Sequence, residues 1–373
     1  MIDPAPRFLF VPVSGAFGMG EYARSLAIAQ GVAARWPSAS IRFILSREAP
    51  YAASTPFAAT MLASSPTFHS TAVIDVIRTW RPDVVIFDNA GRTAQLRAAR
   101  RSGARVVYIS ARPRQRRKAF RLRWMRLIDE HWIAYPEFIA GELHSLERLK
   151  LTFMRRPAVR YLDVIMARDH GGGMERASGA HRDALMARLG CVPNSYVLVV
   201  PGGGTGHAGA PLAIQQFLDA AGMLAAAGIA AIFVGRAPPP SEDAGGPPCA
   251  EPTSAARLLQ LGPLPQTDLA LLMRGARLII ANGGSTLLQA IACAKACVAV
   301  PIAGDQRERI RRCSRAGVAV AAPLDSAVIA KTAMDLLRDD AALDTLAGRA
   351  IALGLADGVD VALRAMTTLL EPK

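Results

Sequence analysis

Cysteine, histidine and lysine are all scarce in this chain of 373 residues, at five, six and five. The cysteines (Cys191, Cys249, Cys293, Cys297 and Cys313) form an odd set in a chain without a signal-sequence pattern, so no disulfide framework is expected and a reducing cytoplasm is the expected compartment. Cys293 and Cys297 stand four apart, but no His or second Cys pair lies nearby in the sequence, so no structural metal is expected. Long apolar runs are also missing. The longest weakly polar stretch, Ala220 to Gly235, has 16 residues and is broken by glycines, against the ~20 that a membrane helix needs. The N-terminal apolar run, behind an early Asp and two prolines, is too short for a signal-peptide core. No fixed-period repeat and no nucleic-acid-binding motif is found, and no nucleic-acid partner is expected.

What is present is enough apolar material for two cores: 51% of residues are hydrophobic, and the length suits about two domains. The net charge of +14 is not spread evenly. Residues 1–168 hold 26 Lys and Arg against 12 Asp and Glu, whereas 169–373 is balanced at 18 each. Arginine-rich composition alone would not spare one half, so the first half is expected to meet something anionic.

Short apolar runs alternate with helical patterns along the first half: strands at 8–13, 41–46, 83–88, 105–110 and 131–135, helices at 72–80 and 93–102. That alternation predicts an α/β protein with a parallel sheet covered on both faces. Ligands of such sheets gather at the carboxyl ends of the strands. The loops expected there carry Gly18, Gly20 and Glu21, then Asp88 and Asn89, then Arg112 and Arg116. Glu21 and Asp88 are the candidate general bases. Each also has a plainer reading, Glu21 as a first-turn acid favourable to the helix dipole and Asp88 as a strand-ending turn residue. From Arg112 to Arg126 eight of fifteen residues are basic, with Phe120 and Trp124 at helical spacing. Either this is an amphipathic helix for an anionic membrane surface or acceptor phosphate, or the aromatics pack on the sheet and the arginines are solvated.

A linker is placed at about 167–178, giving domains 1–167 and 178–373. In the second half the strand Tyr196 to Val200 opens into Gly202, Gly203, Gly204, Thr205, Gly206 and His207 ahead of a helix. His207 either donates to a phosphate or decorates the turn. A second such loop follows at Asn282-Gly283-Gly284, where Ser285 and Thr286 open a helix whose unpaired N–H groups suit a phosphate. Asp305 and Gln306 then follow the strand ending near Ile302, placed to hold sugar hydroxyls. After Arg307–Ala316, helical patterns run from Ser326 to Leu370, the last of which can cross back to the first domain.

The run Gly283-Gly284-Ser285-Thr286, the apolar strand into Pro301, and Asp305-Gln306 resemble the donor half of GT-B glycosyltransferases. The nearest types are the peptidoglycan lipid-intermediate N-acetylglucosaminyltransferase and the nucleotide-sugar hydrolase of pseudaminic acid synthesis. The resemblance implies two Rossmann-like doubly wound domains facing across a cleft, the first for the acceptor and the second for the nucleotide-sugar donor. It also implies that the loop at Gly203, Gly204, Thr205 and His207 closes over the donor pyrophosphate. Two positions depart from the pattern. Gln289 stands where those families carry a ribose-gripping Glu, and Glu21 where they carry the His of a G-x-G-H loop.

No Asp-x-Asp pair stands where a metal-dependent transferase would need one. The expected function is therefore a metal-independent, inverting glycosyltransferase with no cofactor beyond its nucleoside-diphosphate sugar, acting on an anionic or lipid-linked acceptor, with peripheral membrane contact through Arg112–Arg126. A nucleotide-sugar hydrolase and a non-catalytic anion- or nucleic-acid-binding protein are the alternatives.

Overall fold

The structure is a computed structural model that describes residues 5–16, 19–166, 174–202, 210–235 and 258–371. The chain divides into two compact units, one of residues 1–166 together with 356–373 and one of 167–355.

The first unit is built on strands β1 (Arg7–Pro12), β2 (Ser40–Ser46), β3 (Ala58–Leu62), β4 (Val84–Asp88), β5 (Arg105–Ser110), β6 (Glu130–Ile133) and β7 (Ala158–Tyr161). They pair in parallel in the order β3-β2-β1-β4-β5-β6-β7. Side chains alternate across each strand, so continuous apolar runs fill two cores at once. Phe8, Phe10, Ile86 and Ile109 face one side with Tyr22 and Ile28. Leu9, Val11, Val85, Phe87 and Tyr108 face the other with Trp124 and Ile128. The edge strand β3 escapes the sequence pattern because only Leu62 of its five residues is buried.

The last helix, Gly358–Leu370, contributes Ala362, Ala365 and Met366 to the first unit's core. It therefore belongs to the first unit, the return that the sequence allowed for the last helical pattern, and not to the second half as the bounds 178–373 had it. Its approach to the helix Gly20–Arg35 is close enough that a Cβ on Gly31 would lie 2.5 Å from Val359. The expected helical stretch from Ser326 is three helices, Ser326–Leu337, Asp340–Ala352 and Gly358–Leu370, with Asp325, Asp339 and Asp357 each accepting a capping N–H.

The second unit holds β8 (Tyr196–Val200), β9 (Ala230–Val234), β10 (Leu258–Leu261), β11 (Leu278–Asn282), β12 (Ala296–Val300) and β13 (Val320–Ala321), parallel in the order β10-β9-β8-β11-β12-β13. Val197, Val199, Ile280 and Val298 pack there against Phe217, Leu224 and Ile329.

The basic stretch 112–126 is corrected by the fold. It forms two short helices, Pro113–Ala119 and Leu122–Met125, rather than one amphipathic helix. Phe120 and Trp124 are buried, and the Trp124 indole N–H donates to Thr93 Oγ1 at 3.0 Å. The aromatic stripe is sheet core, and most of the arginines are solvated.

Candidate functional site

Both sheets reverse strand order between their first and fourth strands, β1 and β4 in one unit and β8 and β11 in the other. A crevice opens at such a switch point because the flanking connections leave in opposite directions. The candidate residues gather at these two places.

In the first unit the ends of β1, β4 and β5 are tied by backbone bonds: Val13 N–H donates to Asp88 O and Asn89 N–H to Ile109 O, both at 2.9 Å. Asn89 has φ 52°, a left-handed conformation that Asn tolerates better than most residues. That turn aims its amide two ways. Oδ1 accepts the Ala111 N–H at 2.8 Å, and Nδ2 donates to Glu21 Oε1 at 2.9 Å. Glu21, in the first turn of Gly20–Arg35, also lies 3.8 Å from the mostly exposed guanidinium of Arg112. The result is a carboxylate held by one neutral donor and faced by one solvated cation. Its charge is felt at Tyr51, whose hydroxyl pKa is raised chiefly by burial and then by Glu21.

Asp88 is a different case. It is fully buried, and Arg24 donates to both its oxygens, at 2.9 and 2.6 Å, with Ser25 adding a bond at 3.3 Å. Burial pushes its carboxyl up to about 6 against the pull of Arg24. With no exposed surface and both oxygens engaged, it cannot receive a proton from a substrate hydroxyl, so Asp88 is removed from the candidate bases. Arg116 is corrected for a similar reason. It is buried, paired with Glu147 at 2.7 Å, and donates to the carbonyls of Ala140, Gly141 and Glu142. Its five N–H groups hold the loop before helix Ser145–Met154 rather than an acceptor.

In the second unit Asn282 closes β11 and sews two loops together. Its Nδ2 donates to Pro201 O at 2.7 Å, beyond β8, and its Oδ1 accepts the Gly284 N–H at 2.9 Å. The fit requires glycine. A Cβ on Gly202, whose φ is +85°, would lie 2.2 Å from Asn282 Nδ2, and one on Gly284 would lie 2.8 Å from Oδ1. Gly283 is pressed in the same way against Gln306 and Ile310, each at 2.8 Å. Beneath it the buried Arg309 donates to the Gly283 carbonyl and stands 3.6 Å from Asp305. The turn delivers the chain into the helix Ser285–Ala292, where Ser285 is exposed, Thr286 buried and Gln289 half-buried. Leading N–H groups at an exposed helix start suit a phosphate. Asp305, exposed in the first turn of Gly304–Arg315, keeps its expected availability. Gln306 does not: it is buried, and its Oε1 accepts the Ile302 N–H at 3.0 Å, so its side-chain oxygen shapes the turn.

No protein-family model matches the chain, and no curated protein matches it by sequence. Solved structures do match over nearly its whole length. LpCGTa in complex with UDP is 14% identical, with 99% of this chain and 100% of that one covered at a TM-score of 0.63. UGT89C1 of Arabidopsis thaliana complexed with UDP is 13% identical over 97% and 99%, at 0.62. A Listeria monocytogenes protein described as a UDP-N-acetylglucosamine 2-epimerase is 13% identical over 97% and 95%, at 0.57. The fold is GT-B.

Within the GT-B frame, the sequence-chosen residues separate cleanly. Glu21, Asn89 and Arg112 come together at one switch point; Gly283, Gly284, Ser285, Thr286 and Gln289 lie along one turn and helix start at the other, with Asp305 beside them through Arg309. Gly20 is exposed, and a Cβ there would meet nothing within 4 Å, so packing does not demand a glycine. Gly18, Gly203, Gly204, Thr205 and His207 lie outside the described residues. Sequence reading missed Asn282, Arg309 and Arg24 as site-building residues. Asn before a glycine pair at a strand end was a usable signal for the first. The Asp305–Arg309 spacing of four was one for the second. Nothing local marked Arg24, whose partner is 64 residues away.

Proposed function

We propose that this chain is an inverting, metal-independent glycosyltransferase that moves a sugar from a nucleoside-diphosphate donor to an anionic or lipid-linked acceptor. The observation that carries the reading is the second switch point: a glycine turn locked by Asn282 that presents the exposed helix start at Ser285. Fixed N–H dipoles there suit the diphosphate and stabilise the charge it gains on leaving. The UDP held by the neighbours LpCGTa and UGT89C1 supports a nucleotide donor. Gln289 would take a ribose hydroxyl without the charge a Glu supplies.

The acceptor is assigned to the first unit, with Glu21 as its base. The acceptor hydroxyl gives its proton to Glu21, its oxygen bonds the anomeric carbon, and the bond from that carbon to the diphosphate oxygen breaks. Asn89 orients the carboxylate, and Arg112 supplies a positive charge for an anionic acceptor. A Glu21→Gln variant should bind nucleotide normally and lose about two to four orders of magnitude in turnover.

The direct test is a thermal-shift panel of nucleoside diphosphates and nucleotide sugars, with and without EDTA, on wild type and Ser285→Asp. Ligand raises the midpoint by mass action. Ser285 is exposed, so the variant folds while its carboxylate repels phosphate. A shift in one nucleotide family that survives EDTA and is lost in the variant is expected. No shift from any nucleotide would sink the reading. A nucleotide-sugar hydrolase is the second reading, favoured by the 2-epimerase neighbour, whose described chemistry needs no sugar acceptor. Release of free sugar from the donor at full rate without acceptor would select it.

A further inference from the structure

The helix Ser145–Met154 is attached to the first unit through its charged side. Glu147 is buried against Arg116, and Lys150 donates to the Phe120 carbonyl at 3.1 Å. Its outward face is apolar. Leu146, Leu149 and Phe153 are 61%, 52% and 80% exposed. Spaced three and four apart, they fall within about 60° of one another around the helix. An ordinary surface helix turns such a stripe inward; here the stripe faces outward while Glu147 and Lys150 engage the body of the unit, and the exposed Arg148 pairs with Glu142 at 2.9 Å.

The Lys150 contact sets this ridge beside the basic segment. No acid occurs between Arg112 and Arg126, and Arg114, Arg117, Arg121, Arg123 and Arg126 are exposed around the half-exposed Leu122. The charges lie close together: Arg92, Arg121, Arg114 and Arg123 add to burial in holding the Lys118 ammonium down to about 8. Arg92 in turn donates to the Thr67 carbonyl at 3.0 Å, next to the exposed Phe68.

We propose that the ridge Leu146, Leu149 and Phe153, with the adjoining arginines, is a docking surface for a bilayer of anionic phospholipid. Charge complementarity selects that occupant. Leucine and phenylalanine enter the interface while arginines meet headgroup phosphates, and both requirements are satisfied only by a surface that is acidic outside and apolar below. A second copy would set one basic face against another, and a nucleic acid has no use for the apolar ridge. The surface is independent of the donor site; it rests on the proposed transfer only in assigning the bilayer as the place where the acceptor is met.

The experiment is flotation of the full chain with vesicles of phosphatidylcholine and phosphatidylglycerol in equal parts, compared with pure phosphatidylcholine, at low and high salt. It is repeated on Leu149→Ser/Phe153→Ser and on Arg121→Glu/Arg123→Glu, with circular dichroism melts to confirm folding and a nucleotide thermal shift recorded in parallel. Wild type should float with the anionic vesicles only and be released by salt, and each double variant should lose at least about tenfold in partitioning. Failure of wild type to float, or equal flotation of both variants, overturns the proposal. So does concentration-dependent self-association abolished by the serine variant, or salt-sensitive binding of a DNA or RNA duplex that displaces the vesicles. A nucleotide shift that persists when flotation fails leaves the transferase reading standing.

Discussion

The two units solve the same wiring problem with opposite electrostatics. Each ends its fourth strand in asparagine, Asn89 just beyond β4 and Asn282 as the last residue of β11, and each uses that amide to fix the loops of its switch point. In the second unit the amide bonds backbone among the described residues, and the surrounding glycines leave polar N–H groups at a helix start. In the first unit it holds the carboxylate of Glu21, whose charge is felt at the buried Arg24–Asp88 pair and which lies 3.8 Å from Arg112. One design prepares a cradle of backbone dipoles, backed by the Arg309–Asp305 pair, that attracts an anion, and the other prepares a carboxylate whose proton can move. A fold shared by both halves thus says little about chemistry, which resides in what the asparagine is bonded to.

The comparison breaks hardest at Arg24. Among the described residues, the loop ends of the second switch point show no buried ion pair like Arg24–Asp88. Arg24→Met strands a buried carboxylate and should cost about 3–5 kcal/mol at neutral pH. The sign of its pH dependence follows from Asp88. Burial already raises that carboxyl to about 6, and loss of the guanidinium raises it further, whereas the unfolded chain has the ordinary value near ~3.9. Between those values the folded state binds more protons than the unfolded one, so stability falls as pH rises. Urea unfolding should therefore show a larger deficit at slightly alkaline pH than in mild acid. An equal deficit at both would mean that Asp88 is not the stranded group.

A smaller effect separates the two asparagines. Asn282→Ala leaves the Pro201 carbonyl and the Gly284 N–H unpaired, at about 1–3 kcal/mol, and should abolish any nucleotide-induced rise in midpoint. Asn89→Ala frees Glu21 and should instead cut turnover while leaving the nucleotide shift in place. If both variants lose the nucleotide shift, the division of labour between the units is wrong.

How much of this could be read from the residues follows from the range of the interactions. Strands such as Phe8 to Val11 and Leu278 to Ala281 declare themselves because burial on both faces demands unbroken apolar runs. The edge strand Ala58–Leu62, half solvated, makes no such demand. The helical tail was legible as helix, and its breaks were marked by Asp339 and Asp357, but its return to the first unit depends on Gly31 meeting Val359 more than three hundred residues away. The site divides along the same line. The glycine turn at 283–284 is local and was found. The bond from Asn89 to Glu21 spans 68 residues and needs the β1–β4 register, which no short pattern encodes. Composition was ambiguous where two roles use the same residues: Phe120 and Trp124 at helical spacing suit a core or a membrane ridge, and the sheet claims them.

The smallest expected effect falls on Gly20. Gly202, Gly283 and Gly284 are demanded by the protein's own atoms, so substitution there tests packing as much as binding. Gly20 has no such constraint. It opens the helix Gly20–Arg35 without a positive φ, and a methyl group would enter open space. Gly20→Ala should leave the stability unchanged or raise it slightly, by about 0.4–1 kcal/mol, because the unfolded chain loses freedom. Any loss of turnover in that variant then reports a ligand approaching the backbone beside Glu21. Undiminished turnover would show that the acceptor does not use this glycine, and that the glycines pressed on a candidate ligand turn are those of the second unit, Gly202, Gly283 and Gly284.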